Sequence, residues 1–367
     1  MTRLALLCLS LIVSGGCARD TDHLRVPPGF RIAIYSDKVP DARALTLGAR
    51  GTVFVGSMSE GVVYALTDSD GNGRADQVRI IARGLKMPVG VAFRNGDLYV
   101  SALSRIVVLR DIENRLDDPP EPEVITDVLP DDEQHGWKFI AFGPDDKLYV
   151  PIGAPCNICD RGNDYAKLVR MNADGSGLED VAYGIRNTVG FTWHPVDGRL
   201  WFTDNGRDLL GDDLPDDELN VISRPGEHFG FPWCHQGDLP DPELGADRDC
   251  ADFTAPVHKL GPHVAALGLR FYTGSMFPPE YRNALIIAQR GSWNRSERIG
   301  YRVMAAHLQD DRVIRYEPLV DGFLHDQKRL GRPVDVQVMA DGAVLVSDQM
   351  AGTIYRITWS AASPAQE

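Results

Sequence analysis

Apolar residues recur at every second position in short runs, and the runs come in pairs. In "ALTLGARGTVFVGS" from residue 44 and "VGVAFRNGDLYVSA" from 89, two alternating strands flank a polar turn containing Gly. The same phrase returns as "KFIAFGPDDKLYVPIG" from 138 and "VGFTWHPVDGRLWFTDNG" from 189. Longer forms follow as "ALGLRFYTGSMFPPEYRNALIIAQRG" from 266 and "PVDVQVMADGAVLVSDQ" from 333. Period-two alternation bounded by D-G, N-G or R-G turns is the pattern of β-hairpins. No amphipathic stretch longer than two helical turns interrupts it. Six copies at intervals of roughly 45 to 75 residues predict an all-β chain folded as a six-bladed β-propeller with a central funnel. The final copy ends in "GTIYRI", placed to supply the strand that closes the ring and leaves few exposed sheet edges.

The N-terminus does not share this pattern. "MTRLALLCLSLIVSGGC" has one early Arg, an apolar run from Leu4 to Val13 and small residues up to Cys17. That is the arrangement of an export signal, and the run is too short to cross a bilayer. Ser-Gly-Gly before Cys17 resembles a lipoprotein processing site, with Ser14 where leucine is more usual. The division expected is therefore a signal peptide over 1–16, a tether over 17–25, the propeller over 26–360 and a C-terminal tail over 361–367. The expected location is exported and periplasmic, with the membrane reached only through a lipid anchor at Cys17. A formal charge of −14 excludes a nucleic-acid partner, which needs clustered Lys and Arg. Four cysteines remain beyond Cys17, and in an oxidising compartment they pair most simply as Cys156–Cys159 and Cys234–Cys250. The rival reading of "CNIC" as a redox or metal motif lacks a second C-x-x-C, and Asp160 stands where a c-type haem site needs histidine.

Unusual polar chemistry collects where hairpins begin and end. His135 precedes the inner strand of the third copy, outside the strand alternation, where an imidazole can face a pocket. Arg186 and Asn187 occupy the same phase ahead of the fourth copy, and Arg332 ahead of the sixth; Gln289 and Arg290 end the second strand of the fifth. Arginine offers a planar fork for carboxylates. "TDNGRDLLGDDLPDDELN" carries five Asp and one Glu between residues 208 and 218, a density that suits a hard cation or a solvated loop. In "DSDGNGRAD", Asp68, Asp70, Asn72 and Asp76 stand at positions one, three, five and nine of an EF-hand-type loop, with Gly73 at six. Arg79 replaces the bidentate Glu at position twelve, so a structural calcium and an ordinary acidic turn both remain open.

Taken in order, "HGWKF", "GIRNTVGF", "TDNGRD…DDELN", "GSWNR" and "GRPVDV" on six repeats resemble the soluble quinoprotein sugar dehydrogenases, the glucose/sorbosone dehydrogenase family, and within it the L-sorbosone dehydrogenase branch. The likeness runs from Val26 to Ile357. It implies pyrroloquinoline quinone (PQQ) over the funnel, a calcium ion beside it and a histidine base. Residue by residue, it implies His135 as the base, Arg186 and Asn187 beside the cofactor, and Arg186 stabilising negative charge there. It implies Gly206 and Arg207 as backbone-carbonyl calcium ligands, although the family often has proline at the position of Arg207. Arg332 matches the first of an arginine pair that holds cofactor carboxylates, and Val334 replaces the second. Gln289 or Arg290 stands where the family has a lysine.

On this resemblance the chain oxidises an aldose or sugar aldehyde by hydride transfer and passes electrons to an external acceptor, a quinone or a c-type cytochrome. Two other classes fit the residues alone. A calcium-dependent lactonase would use the acidic loop without converging arginines. A non-catalytic propeller binding carbohydrate or protein would leave His135 idle.

Overall fold

In a computed structural model, which describes residues 21–361, the chain forms six sheets around one axis, each built on four antiparallel strands, with a fifth strand added to one of them. Their innermost strands are Ala42–Leu47, Val91–Arg94, Ala141–Phe142, Phe191–Trp193, Ala266–Phe271 and Pro333–Val338, each the first strand of a repeat. Four short 3₁₀ turns are the helical segments among the described residues. The blades, numbered 1 to 6 in that order, confirm the all-β six-bladed propeller.

Closure differs from the expectation. The "GTIYRI" strand, Thr353–Trp359, is the third strand of blade 6. The fourth is Phe30–Ser36 from the start of the domain, paired antiparallel from Phe30↔Trp359 to Ser36↔Ile354. The ring is thus closed by hydrogen bonds between the two ends of the chain. Leu24 is buried and Arg25 bridges Asp321, so ordered packing begins inside the segment expected to be a tether. The signal peptide, Cys17 and all but the first residue of the C-terminal tail lie outside the described residues.

Between blades the core is apolar, built from the alternate residues that face a neighbouring sheet. Phe139, Tyr149, Phe191 and Trp193 meet largely edge to face between blades 3 and 4. A polar device repeats within this packing. Ser101 on the second strand of blade 2 donates to the Lys138 carbonyl at 2.7 Å, at the approach to blade 3. Thr203 of blade 4 donates to the Leu267 carbonyl of blade 5 at 2.6 Å, and Ser347 of blade 6 to the Arg43 carbonyl of blade 1 at 2.7 Å. These hydroxyls sit at one phase of the repeat, in "YVSA", "WFTD" and "LVSD". Each satisfies a carbonyl at the inner strand of the next blade and so fixes where that strand starts.

The longest interval between repeats, from 189 to 266, reflects an excursion between the last two strands of blade 4. Its Glu227–His228 adds in parallel to the outer strand of blade 3. Both disulfides expected from the sequence are formed, Cys156–Cys159 after the second strand of blade 3 and Cys234–Cys250 within this excursion.

Ser347 also accepts the Asp335 amide, so Ser347→Ala strands two buried backbone groups at the closing blade. The expected cost is about 1–3 kcal/mol for unsatisfied buried groups, read as a lower midpoint in urea unfolding. An unchanged midpoint would show that the seam does not depend on it.

Candidate active site

In an antiparallel hairpin the start of the inner strand and the end of the second strand lie at the same edge. Loops leading into inner strands therefore gather at one end of the propeller with loops leaving second strands. They enclose a pocket of about 340 Å³, within the range of small-molecule sites. His135, Arg186, Asn187, Gly206, Arg290 and Arg332, separated by up to 197 residues in the chain, all line it. Arg43, Trp137, Asp217, His263 and Trp293 join them.

His135 has a φ of 52°, a left-handed conformation disfavoured for residues other than glycine. The surrounding chain holds it there. A Cβ on Gly153 would stand 2.6 Å from the His135 Cβ, so that position admits only glycine without a shift. Buried Lys138 donates to the Gly136 carbonyl at 3.0 Å and ties the same turn from beneath. The His135 Nδ1–H donates to the Ala154 carbonyl at 2.7 Å, which leaves Nε2 as the acceptor nitrogen. Burial first, and then the Arg186 charge, push its pKa down to about 3. The imidazole is accordingly neutral with a free lone pair, the state a proton acceptor requires. Trp137 stands edge-on to it and donates its indole N–H to the Asn187 Oδ1 at 3.1 Å.

Arg186 and Asn187 are fixed by Asp204, whose carboxylate accepts both of their backbone amides at 2.7 and 2.6 Å. The Arg186 guanidinium is fully engaged. Nε donates to the Asn157 carbonyl, Nη1 to the Asn205 and Gly206 carbonyls, and Nη2 to Asn157 Oδ1 and Asp208 Oδ2. All five N–H groups are used within the protein, so Arg186 offers the pocket a fixed positive charge rather than a free donor.

Opposite chemistry gathers on blades 1, 5 and 6. Arg43, Arg290 and Arg332 converge there, and none forms a side-chain ion pair among the described residues. Gln349 Oε1 accepts from Arg43 Nη1 and Arg290 Nε, and Arg332 reaches the Arg290 and Gly291 carbonyls and lies over the Tyr301 ring. The Arg43 Nε is buried without a partner. Nearby Asp41 is occupied by the Met58, Ser59 and Glu60 amides and the Gln349 side chain. Burial, together with mutual repulsion, lowers Arg43 to about 10 and Arg290 to about 9. Like charges gathered at a buried or partly buried wall are costly; Asp41, Asp335 and Asp348 offset part of that cost, and a bound anion would offset more.

Arg43 escaped the sequence reading. Its signal was a charged residue breaking the apolar alternation of "ARALTL" at the head of an inner strand, close to the phase of Arg332. Gln289 does not line the pocket. It is buried in blade 5, where it donates to Tyr316 and accepts from Arg302. Strand alternation explains the difference, since Gln289 and Arg290 project to opposite sides and only Arg290 reaches the pocket. Val334, in place of a second arginine, packs with Val189, Leu267 and Trp137 as an apolar floor.

The acidic loop is bonded throughout. Asp208 holds Arg186 and Asn294, Asp212 caps the Ser296 amide, and Asp213 pairs with Arg295. Asp217 accepts the Gly206 and Ala266 amides, and Glu218 the Gln236 amide. Arg207 turns its side chain away from the pocket to Asp241 and Glu243, with His235 on the same Asp241, anchoring the loop to the blade 4 excursion. Asp68, Asp70, Asn72 and Asp76 lie on the outer hairpin of blade 1 and do not line the pocket. Asp68 caps the Asn72 and Gly73 amides, Asp70 bonds Asn72, and Asp76 bonds Ser69. No group of three or more His, Cys, Asp or Glu placed to hold a metal ion occurs among the described residues.

Three comparisons bear on this arrangement. The family profile described as Glucose / Sorbosone dehydrogenase matches residues 101–356. An uncharacterized protein of Borreliella burgdorferi is 33% identical over 353 residues, covering 92% of this chain and 91% of its own. Among solved structures, the calcium structure of a Trichoderma reesei carbohydrate-active enzyme of family AA12 superposes with a TM-score of 0.80 at 17% identity, covering 92% of this chain and 97% of its own. The holo PQQ domain of Coprinopsis cinerea pyranose dehydrogenase gives 0.77 at 18% identity, covering 91% and 97%. At such identities the structural matches speak for the fold.

Because the folded pKa of His135 lies below its ordinary 6.5, the unfolded chain takes up that proton first, and its contribution to stability is lost as pH falls from 6.5 towards 3. Nitrogen-15 histidine spectra should keep the His135 signal, identified by its loss in His135→Gln, in the neutral Nδ1–H form from pH 8 to pH 5. Titration near 6.5 would contradict the geometry.

Proposed function

The chain belongs to the glucose/sorbosone dehydrogenase family, and from that premise we propose that its pocket binds PQQ and oxidises an aldose or sugar aldehyde. The observation that carries the reading is the trio Arg43, Arg290 and Arg332, gathered without direct side-chain ion pairs among the described residues in the same pocket as the neutral, open Nε2 of His135. The three guanidinium groups fit a planar cofactor bearing three carboxylates. Arg43, with its unpartnered Nε, supplies the second arginine that Val334 lacks.

When bound, PQQ supplies the ortho-quinone that accepts a hydride. His135 Nε2 takes the proton from the substrate hydroxyl, while the Nδ1–H bond to Ala154 keeps the ring in the required tautomer. Burial and the nearby Arg186 charge make the imidazolium short-lived, so His135 passes the proton on and returns to its neutral state. The fixed charge of Arg186 favours negative charge building up in the pocket and needs no reorganisation to do so. Trp137 and the Val189–Leu267–Val334 floor keep water from the base of the site. Exposed Trp293 stands at the mouth, where a sugar enters.

Calcium is a finer part of the proposal. Gly206 and the Asp217 carboxylate are neighbours on the pocket wall, the Gly206 amide donating to Asp217, and buried Asp204, Asp217 and Glu218 are raised to about 6, 7 and 8 by desolvation, with the Asp204 charge also raising Asp217 and the Asp204 and Asp217 charges raising Glu218. A divalent cation would relieve that burden. With the Gly206 carbonyl already accepting Arg186, the Gly206 and Arg207 carbonyls would need oxygens of the bound anion to complete the shell. Export is supported by the two disulfides, which persist in oxidising compartments. An external acceptor is required to reoxidise the cofactor; its identity and the lipid anchor at Cys17 are further parts of the proposal.

Titrating the purified protein with PQQ while following tryptophan fluorescence tests the reading. Arg43→Gln should weaken binding by roughly 10- to 100-fold, the value of a charge-assisted bond. Undiminished affinity would separate the arginines from the cofactor. His135→Gln should bind PQQ normally and lower kcat for dye-linked aldose oxidation by about two to four orders of magnitude. Full activity in His135→Gln would remove it as the base.

A further inference from the structure

The Cys156–Cys159 ring has no part in the chemistry described so far, yet it lies against both polar groups of the site. We propose that Asn157, held in this ring, is a positioning residue that aims the Arg186 guanidinium. The proposal rests on the quinone-dependent reading above.

Asn157 meets Arg186 twice. Its carbonyl accepts from Nε at 2.9 Å and its Oδ1 from Nη2 at 2.8 Å, a two-point grip on one edge of the guanidinium. The same Oδ1 accepts the Asp208 amide at 2.8 Å, and the Asn157 Nδ2 donates to the Asp208 carbonyl at 3.0 Å. Asp208 in turn supplies the carboxylate on Nη2. Asn157 therefore joins the blade 3 loop, the blade 4 loop and Arg186 in one network.

The ring explains why an exposed connection can hold so exact a geometry. Residues 153–166 link two strands of blade 3 with a single short 3₁₀ turn between them. Closing residues 156 to 159 covalently removes freedom the loop would otherwise have. Cys156 and Ile158 pack against Ala154, Ala166 and Phe231 on one side, which turns the intervening Asn157 towards Arg186 on the other. Two residues before the ring, the Ala154 carbonyl orients His135 and its amide donates to the Arg186 carbonyl at 2.8 Å. One short segment thus sets the tautomer of the base and the place of the cation. A loop held only for stability would not need to spend both oxygens of one asparagine on a guanidinium.

The test uses the full-length oxidised protein. Arginine side-chain NMR without cofactor reads the guanidinium directly, with the Arg186 signal assigned by its loss in Arg186→Lys. The wild type should show slow Cζ–Nε rotation and a protected Nε–H. Slow rotation should be lost in Asn157→Ala, which keeps the backbone carbonyl on Nε but not the Oδ1 on Nη2, and both features in Cys156→Ser/Cys159→Ser, which leaves Cys234–Cys250 intact. Asn157→Asp keeps an oxygen for Nη2 and the Asp208 amide and should retain the signature. In fluorescence titrations Asn157→Ala should weaken PQQ roughly tenfold in an otherwise wild-type chain and have no further effect on Arg186→Ala, the non-additivity expected of residues acting through one another. An Arg186 signature unchanged in both variants overturns the proposal, as does a tenfold loss that persists in Arg186→Ala. If the wild type binds no PQQ, the functional reading fails, and the guanidinium signature still decides the role of Asn157.

Discussion

Arg43, Arg290 and Arg332 share one wall of the funnel and form no direct side-chain ion pair among the described residues, and the site is organised around that excess of positive charge. Drawing Arg43 fully and Arg290 and Arg332 partly out of water is costly unless counter-charge is supplied. The fold bears the cost because each arginine sits on a strand or strand-end whose position is set by the ring: Arg43 by the Ser347 seam, Arg332 by its backbone bond to Asp348, Arg290 by the edge of blade 5. An anion binding there supplies counter-charge to all three. The same closure that pairs Phe30–Ser36 with Thr353–Trp359 therefore keeps the arginines together, since blade 6 carries one of them and abuts the other two blades.

Across the funnel the balance is reversed. Blade 4 contributes Asp204, Asp208, Asp217 and Glu218, and Arg186 is the single basic side chain set among the first three. Its five donors are all used there, which is why it acts as a fixed charge. His135 lies at the boundary, close enough to Arg186 to remain neutral and with Nε2 open to the pocket. Basic wall, neutral base and internally compensated acidic wall give the pocket a direction. On the proposed function, an anionic cofactor would be drawn to blades 1, 5 and 6 and would leave space before His135 for a neutral sugar.

Much of this was legible in the chain because it rests on local pattern. Period-two alternation with Gly turns specified hairpins, and their sixfold recurrence specified the propeller. Phase within the repeat then placed His135, Arg186, Asn187, Arg290 and Arg332 at one end. What failed to show depends on direction or on distant partners. Gln289 and Arg290 are adjacent in sequence, and only strand geometry says which one faces the pocket. Arg43 stands alone in an apolar strand, and nothing local links it to Arg290 and Arg332. The acidic loop left a cation site and a solvated loop both open, and its carboxylates instead cap amides and arginines from other segments, partners that sequence spacing does not name. Ring closure by the N-terminal strand pairs residues more than 300 positions apart, beyond the reach of any local signal.

The central claim is electrostatic, and it is tested most directly by comparing PQQ with its trimethyl ester in equilibrium titrations of the wild-type protein. The two share the quinone and the ring system and differ in the three carboxylate charges. If Arg43, Arg290 and Arg332 recognise those charges, PQQ binds at least roughly 100-fold more tightly than the ester, and its advantage shrinks as ionic strength rises. Equal affinity for acid and ester, or no binding of either, would contradict the account.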